Sequence, residues 1–204
     1  MKENGFEYVD LDLPSGTMWA TCNVGATKPE DSGLLFQFGR VDGYKYGDEN
    51  HKFRTIEQNT QDTGDEYTPV TTSGKKYKTN EILDLSDDAA HINMGGIWRM
   101  PTNDELQELI DNTTQKVKTI NEVQGMMFTS NINEHQLFIP FVGYWYEEDD
   151  GFIESGSYAF VWSSQLFPFH VGTAYLLYCS SSDNANIYLY SRSSAFSVRG
   201  VFKK

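Results

Sequence analysis

Four histidines, His51, His91, His135 and His170, are the first side chains to examine for chemistry, because imidazole is the commonest general base and metal ligand. They lie far apart, and none stands in a triad context with a serine nucleophile elbow, so a surface or capping role is the reading for each. His170 is set apart by its neighbours Leu166, Phe167 and Phe169. The acidic run Glu147-Glu-Asp-Asp-Gly151 offers the oxygen donors that calcium needs; it also suits the solvated tip of a hairpin, which is the reading adopted. There is no Gly-rich phosphate loop, no His-Glu-x-x-His and no Cys-x-x-Cys, so nucleotide binding and a structural zinc site have no support. Cys22 and Cys179 leave a disulfide and two separate buried thiols both open. No catalytic residue, metal ligand or cofactor is assigned, and a fold without bound metal is expected.

What the chain has in quantity is aromatic surface. Of 204 residues, 12 are Tyr, 13 Phe and 4 Trp, and large amphipathic rings serve a core and a contact surface equally. From Ser155 to Phe202 they stand among Ser and Asn, without Lys, Glu or Met, and the only charged residues are Asp183, Arg192 and Arg199. Average usage would place roughly a dozen charges in that length. A Tyr, Ser and Asn mixture resembles an antibody paratope, where Tyr gives contact area at low entropic cost and Ser or Asn adapts the hydrogen bonding.

Positioning these residues requires strands. Tyr8 to Pro14 alternates and stops at Pro-Ser-Gly; Met18 to Val24 and Leu34 to Phe38 are further apolar runs. Gly39 to Ala90 is polar and aperiodic, which reads as long surface loops with a short helix within Glu81 to Ala90. Pro101 to Ile110 is the clearest helix, with Thr102 as cap, Glu105 three residues on, and Leu106, Leu109 and Ile110 on one face. Strands are expected at Gly125–Thr129, Leu137–Tyr146, Tyr158–Ser163, Ala174–Cys179, Asn186–Tyr190 and Phe196–Phe202. One or two helices with a string of short antiparallel strands is an α+β plan, and the length suits a single domain spanning residues 1–204. Alternation sends Tyr188 and Tyr190 to one face of their strand and Ile187 and Leu189 to the other.

The net charge of −13 argues against a nucleic-acid backbone as partner and against anionic membranes. No apolar run approaches a membrane span, and Met1 to Asp10 has no secretion signal, so no membrane insertion is expected.

Five motifs in order, Leu13-Pro-Ser-Gly-Thr-Met-Trp-Ala-Thr-Cys-Asn-Val-Gly-Ala26, Pro29-Glu-Asp-Ser-Gly33, Trp98-Arg-Met-Pro-Thr102, Trp162-Ser-Ser164 and Phe196-Ser-Val-Arg199, resemble the Fibrobacter-type major paralogous domain of gut Bacteroidetes and their phages. Ala195 stands where that family usually has Gly, and residues 39–90 fall where it varies. The resemblance implies a C-type-lectin-like fold related to the formylglycine-generating-enzyme group, with Arg99-Met-Pro-Thr-Asn-Asp-Glu-Leu106 at the start of the helix. That enzyme uses a cysteine pair in its C-terminal part, where this chain has only Cys179, so its activity is not implied. The calcium motifs of sugar-binding animal C-type lectins are absent too. The stretch 155–202 further resembles variable proteins diversified by retroelements, such as the phage tropism determinant. Their randomised Asn codons reach Tyr, Ser, Phe, His and Asp among others, and never Lys, Glu, Gln, Met or Trp.

The expectation is a non-enzymatic receptor-binding or display protein of a phage virion or bacterial cell surface, with a cell-surface protein or glycan as partner. Tyr158, Phe160, Phe169, His170, Leu176, Tyr178, Tyr188 and Tyr190 would form one solvent-facing patch over a scaffold of Trp162, Phe196, Val198 and Arg199. The alternative is a structural or decoration module of a larger particle, and homo-oligomerisation is left open. An enzymatic reading is third, since a fold does not fix a function.

Overall fold

The computed structural model describes residues 1–55, 57–58, 70–148, 150–153, 156–182 and 184–204. Among the described residues the molecule is mostly β, with largely antiparallel sheets, the strands Tyr158–Leu166 and Ala195–Ser197 forming a parallel pair, and two short helices that can be traced from end to end, an α+β plan. Strands β1 (Lys2–Glu3), β2 (Phe6–Asp10) and β3 (Thr17–Asn23) form a sheet that the last strand, β14 (Arg199–Lys203), completes by pairing with β3. A second sheet runs β12 (Asn186–Ser191), β11 (Thr173–Ser180), β10 (Tyr158–Leu166), β13 (Ala195–Ser197), β8 (Tyr144–Tyr146), β9 (Gly151–Ile153), with β4 (Leu35–Gln37) also on β13. A third holds β5 (Thr113–Ile120), β6 (Val123–Ser130) and β7 (Gln136–Pro140). Helix α1 is Ala89–Met94 and α2 is Asn103–Asp111.

Helix α2 starts where its local chemistry requires. The Thr102 side chain accepts from the Glu105 N–H while Glu105 accepts from the Thr102 N–H, closing a capping box, and Leu106 and Leu109 are buried. Towards their centres strands β10 and β11 carry apolar side chains on both faces, because there both faces are covered. Ala159, Val161, Leu177 and Cys179 join Trp19, Leu106, Leu109, Phe128 and Val201 in one core cluster. Trp162, Leu166, Ala174 and Leu176 join Phe36, Phe38, Ala90, Met94, Trp98 and Phe196 in another.

The five motifs meet in space. Asn23 Nδ2 donates to the Ser32 carbonyl, and the Val24 N–H donates to the Val198 carbonyl. The Ser164 N–H donates to the Pro101 carbonyl, Arg99 bridges to Val201, and Trp162 Nε1 donates to the Phe36 carbonyl at 2.9 Å. Gly33 has a reason to be Gly: its φ is +71°, and a Cβ would lie 2.5 Å from the Val24 carbonyl oxygen. Trp98 and Trp162 are buried, as expected of framework residues.

Three expectations need correction. Thr113–Ile120, left unassigned by its sequence, is β5, an edge strand held along its length by β6. Residues 39–90 are more than surface loop: Phe53, Tyr77, Leu83, Ala89 and Ala90 are buried, and the expected helix divides into a 3₁₀ turn at Leu85–Asp87 and α1. Ile56 and residues 59–69 of that stretch lie outside the described residues. Finally, the runs 137–146 and 196–202 each serve two sheets: β7 and β8 part at Phe141-Val142-Gly143, β13 and β14 at Val198. Among the described residues, no helix is long and apolar enough to cross a membrane.

Candidate functional site

Cross-strand register decides which side chains share a face, because residues directly opposite in an antiparallel pair point the same way. Tyr158 faces Ser180, Phe160 faces Tyr178 and Trp162 faces Leu176 between β10 and β11. Tyr178 faces Asn186, Leu176 faces Tyr188 and Ala174 faces Tyr190 between β11 and β12. Tyr158, Phe160, Leu176, Tyr178, Tyr188 and Tyr190 therefore occupy one face, with Trp162 in their midst. Ile187 takes the opposite side and packs into the second core cluster, as alternation required.

Along this face exposure rises from centre to edge. Trp162, Leu176 and Phe196 are buried; Phe160, Tyr178 and Tyr190 are half-buried; Tyr158 and Tyr188 are 42% and 56% exposed. The rings are continuous. Tyr158 lies 5.9 Å from Tyr178, Tyr178 lies 5.7 Å from Tyr188, and Phe160 connects Tyr178 at 5.4 Å to Phe196 at 4.9 Å, with Trp162 beyond. Two tyrosines outside the stretch 155–202 belong to the same surface: Tyr144 is 5.1 Å from Phe160, and Tyr146 is 6.3 Å from Tyr190. Their signal was the Tyr144-Trp145-Tyr146 alternation, which buries the tryptophan and turns both tyrosines the other way. Burial first, then the neighbouring Tyr144, Tyr146 and Glu147, pushes the Tyr190 phenol up, so it remains a neutral hydroxyl.

Leu176 is a correction. It is 0% exposed, because its position opposite Trp162 puts it under the covering β4 and α1 side chains. Phe169 and His170 also depart from the expected patch. They sit in the turn between β10 and β11, where Phe169 is 84% exposed and 5.4 Å from Phe167, itself 5.7 Å from Tyr175. Tyr175 is odd-numbered in β11 and points away from the tyrosine face, so the expected single patch is two surfaces. Arg192 secures this turn: its N–H donates to the Gly172 carbonyl and its Nη1 to the Val171 carbonyl, both at 2.9 Å. The expected scaffold of Trp162, Phe196, Val198 and Arg199 is buried throughout.

The other sequence candidates are dispersed. His91 Nδ1 contacts the Trp98 carbonyl, His135 the Asp10 carbonyl and His170 the Thr173 hydroxyl. The His51 ring stands among Phe53, Trp145 and Phe152 at 5.1, 5.7 and 5.2 Å. Cys22 and Cys179 are free thiols, one half-buried and one buried. The acidic hairpin tip is not solvated throughout. Glu147 is buried against Ser194, whose hydroxyl donates to its carboxylate, and burial raises its pKa; Glu148 and Asp150 are exposed, and Asp149 lies outside the described residues. Among the described residues, no three His, Cys, Asp or Glu gather as a metal site.

Comparison with family models, with curated proteins and with solved structures returns no match to this chain.

Proposed function

We propose that the chain is a binding or display protein whose ligand surface is the tyrosine face of β10, β11 and β12, with Tyr158, Tyr178 and Tyr188 as primary contacts and Phe160, Tyr190, Tyr144 and Tyr146 supporting them. The observation that carries this reading is a continuous row of rings across three paired strands, exposed at its edge and founded on a buried tryptophan. Tyr has few rotatable bonds to immobilise, and the exposed Ser181, Ser182, Asn184 and Asn186 supply adaptable hydrogen bonds alongside. Exposed contiguous aromatic surface on a folded domain marks an interaction site.

The finer assignments rest on the same residues. Mutual contact among the five motifs supports a C-type-lectin-like framework of the Fibrobacter type, in which those residues serve architecture. Retroelement diversification is supported by the distribution of residue types. The exposed face holds Tyr, Ser and Asn, whereas Trp162 and Gln165, which randomised Asn codons cannot encode, are buried and half-buried. One observation favours the decoration-module reading: Phe169, on the other side of the sheet, offers a second apolar contact suited to assembly.

Labelled protein applied to intact bacterial cells tests the proposal. Cell binding that Tyr158→Ser with Tyr188→Ser abolishes, at unchanged melting temperature, is expected; undiminished binding by that variant defeats it. A nearby reverse-transcriptase gene and a near-copy of the tail-coding sequence differing only at adenines would establish diversification.

A further inference from the structure

Among the described residues, the three strands that carry Tyr158, Tyr178 and Tyr188 expose no positive charge. Between residues 156 and 202, the only Lys or Arg are Arg192 and Arg199, and both are buried. Beside it, immediately after Tyr146, the turn between β8 and β9 exposes Glu148 and Asp150, and the whole chain carries a charge of −13. Strands with partly exposed tyrosine rings, an acidic turn beside them and no exposed cation among their own residues complement a cation. Guanidinium and ammonium groups are attracted to the negative face of an aromatic ring, and arginine adds planar stacking.

Spacing is consistent with a polypeptide source. The rings of Tyr158, Tyr178 and Tyr188 step across three adjacent strands at 5.9 and 5.7 Å. Side chains on one face of an extended peptide recur about every 6.7 Å, so alternate residues of such a segment can address successive rings. A neutral glycan could use the rings but would gain nothing from the acidic border, and an anionic ligand would be repelled.

Building on the binding-face reading, we propose that the tyrosine face takes an extended, cationic polypeptide segment of the partner, with arginine or lysine side chains laid over Tyr158, Tyr178 and Tyr188 and the segment's end directed to Glu148 and Asp150. A cation over an exposed ring strengthens association about three-fold, so several rings together give an effect well above measurement error.

The test titrates the protein with a fluorescent peptide of alternating arginine and serine, with its glutamate–serine counterpart, and with a neutral maltooligosaccharide. Saturable binding of the arginine peptide is expected, weakened about ten-fold by Tyr158→Ser with Tyr188→Ser. That variant is charge-neutral and changes only exposed rings, so it separates the site from general attraction to an acidic protein. Glu148→Gln with Asp150→Asn should weaken binding and reduce its salt dependence. Absence of arginine-peptide binding, or binding that the tyrosine variant leaves intact, overturns the inference. Tyrosine-dependent binding of the oligosaccharide alone would overturn it while leaving the binding face standing, whereas failure of the tyrosine variant to affect attachment to cells would remove the binding face itself.

Discussion

Arg99 grips Glu105 through two hydrogen bonds, Nη1 to Oε2 at 2.7 Å and Nη2 to Oε1 at 2.6 Å. The same carboxylate accepts from the Thr102 N–H at 2.9 Å and the Thr17 hydroxyl at 3.2 Å, tying the start of α2 to β3. Burial alone would raise the Glu105 pKa, but the hydrogen bonds from Arg99 and Thr102 win and lower it from 4.5 to about 2. A depressed carboxylate stabilises the fold fully above its unfolded pKa and loses that contribution as pH falls through its folded pKa. Stability should therefore decline between pH 4.5 and about 2. Glu105→Gln should cost on the order of 2 kcal/mol at neutral pH, discounted because Arg99 is partly exposed, and should flatten that acid limb. Urea melts across the interval would show it; an unchanged slope in Glu105→Gln refutes the assignment.

Two buried arginines should respond differently to replacement. Arg199 gives Nε to Asn23, Nη1 to the Ala20 carbonyl and Nη2 to the Phe138 carbonyl, whereas Arg192, its guanidinium over the Phe38 ring, leaves Nε and Nη2 without a hydrogen-bond partner among the described residues. Burial pushes both guanidinium groups down to about 10. Arg199→Met strands three buried acceptors and should lose about 3 kcal/mol or more. Arg192→Met removes a charge whose desolvation is poorly repaid and should stay within about 1 kcal/mol of the parent. Equal losses in denaturant melts would contradict this account.

The two thiols differ in access and in chemistry. Cys179 is buried within β11, where burial pushes its thiol well up, while Cys22 is half-buried on β3. Since the thiolate is the reactive form, an aromatic disulfide reagent should label Cys22 first and reach Cys179 only on unfolding. One equivalent before denaturant and two after is the expected titration. Two equivalents in the native state would show that the core around Cys179 opens readily.

Much of the framework was legible because it is local. Thr102 and Glu105 announce their capping box within four residues, and Tyr188 and Tyr190 announce their face by alternation. What was not legible depends on partners far away in the chain. Thr113 to Ile120 has no apolar pattern, since its exposed residues give the ladder to β6 and little to the core. Val198 sits between strands of two sheets, a division set by β4 on one side and β3 on the other. Phe169 left the patch because the turn after Leu166 carries Phe167 and Tyr175 to the opposite surface, a geometry composition does not encode.

Leu176 and Tyr188 provide the sharpest test of the site, being direct partners on the same face with opposite environments. Leu176 is fully buried in the core with Trp162; Tyr188, one strand further out, is 56% exposed with its ring 5.7 Å from that of Tyr178. Leu176→Ala opens a cavity beside Trp162 and should cost about 2 to 5 kcal/mol. Tyr188→Ser removes mostly solvated surface and should change stability by roughly 0.5 kcal/mol, while a residue central to recognition can cost 2 kcal/mol or more in affinity. Calorimetry and binding measured on both variants separate the roles. Leu176→Ala should lower the melting temperature yet bind at low temperature where it remains folded, and Tyr188→Ser should melt like the parent yet bind weakly. If Tyr188→Ser instead destabilises the protein as much as Leu176→Ala, the outer strand is core and the tyrosine row is not a presented surface.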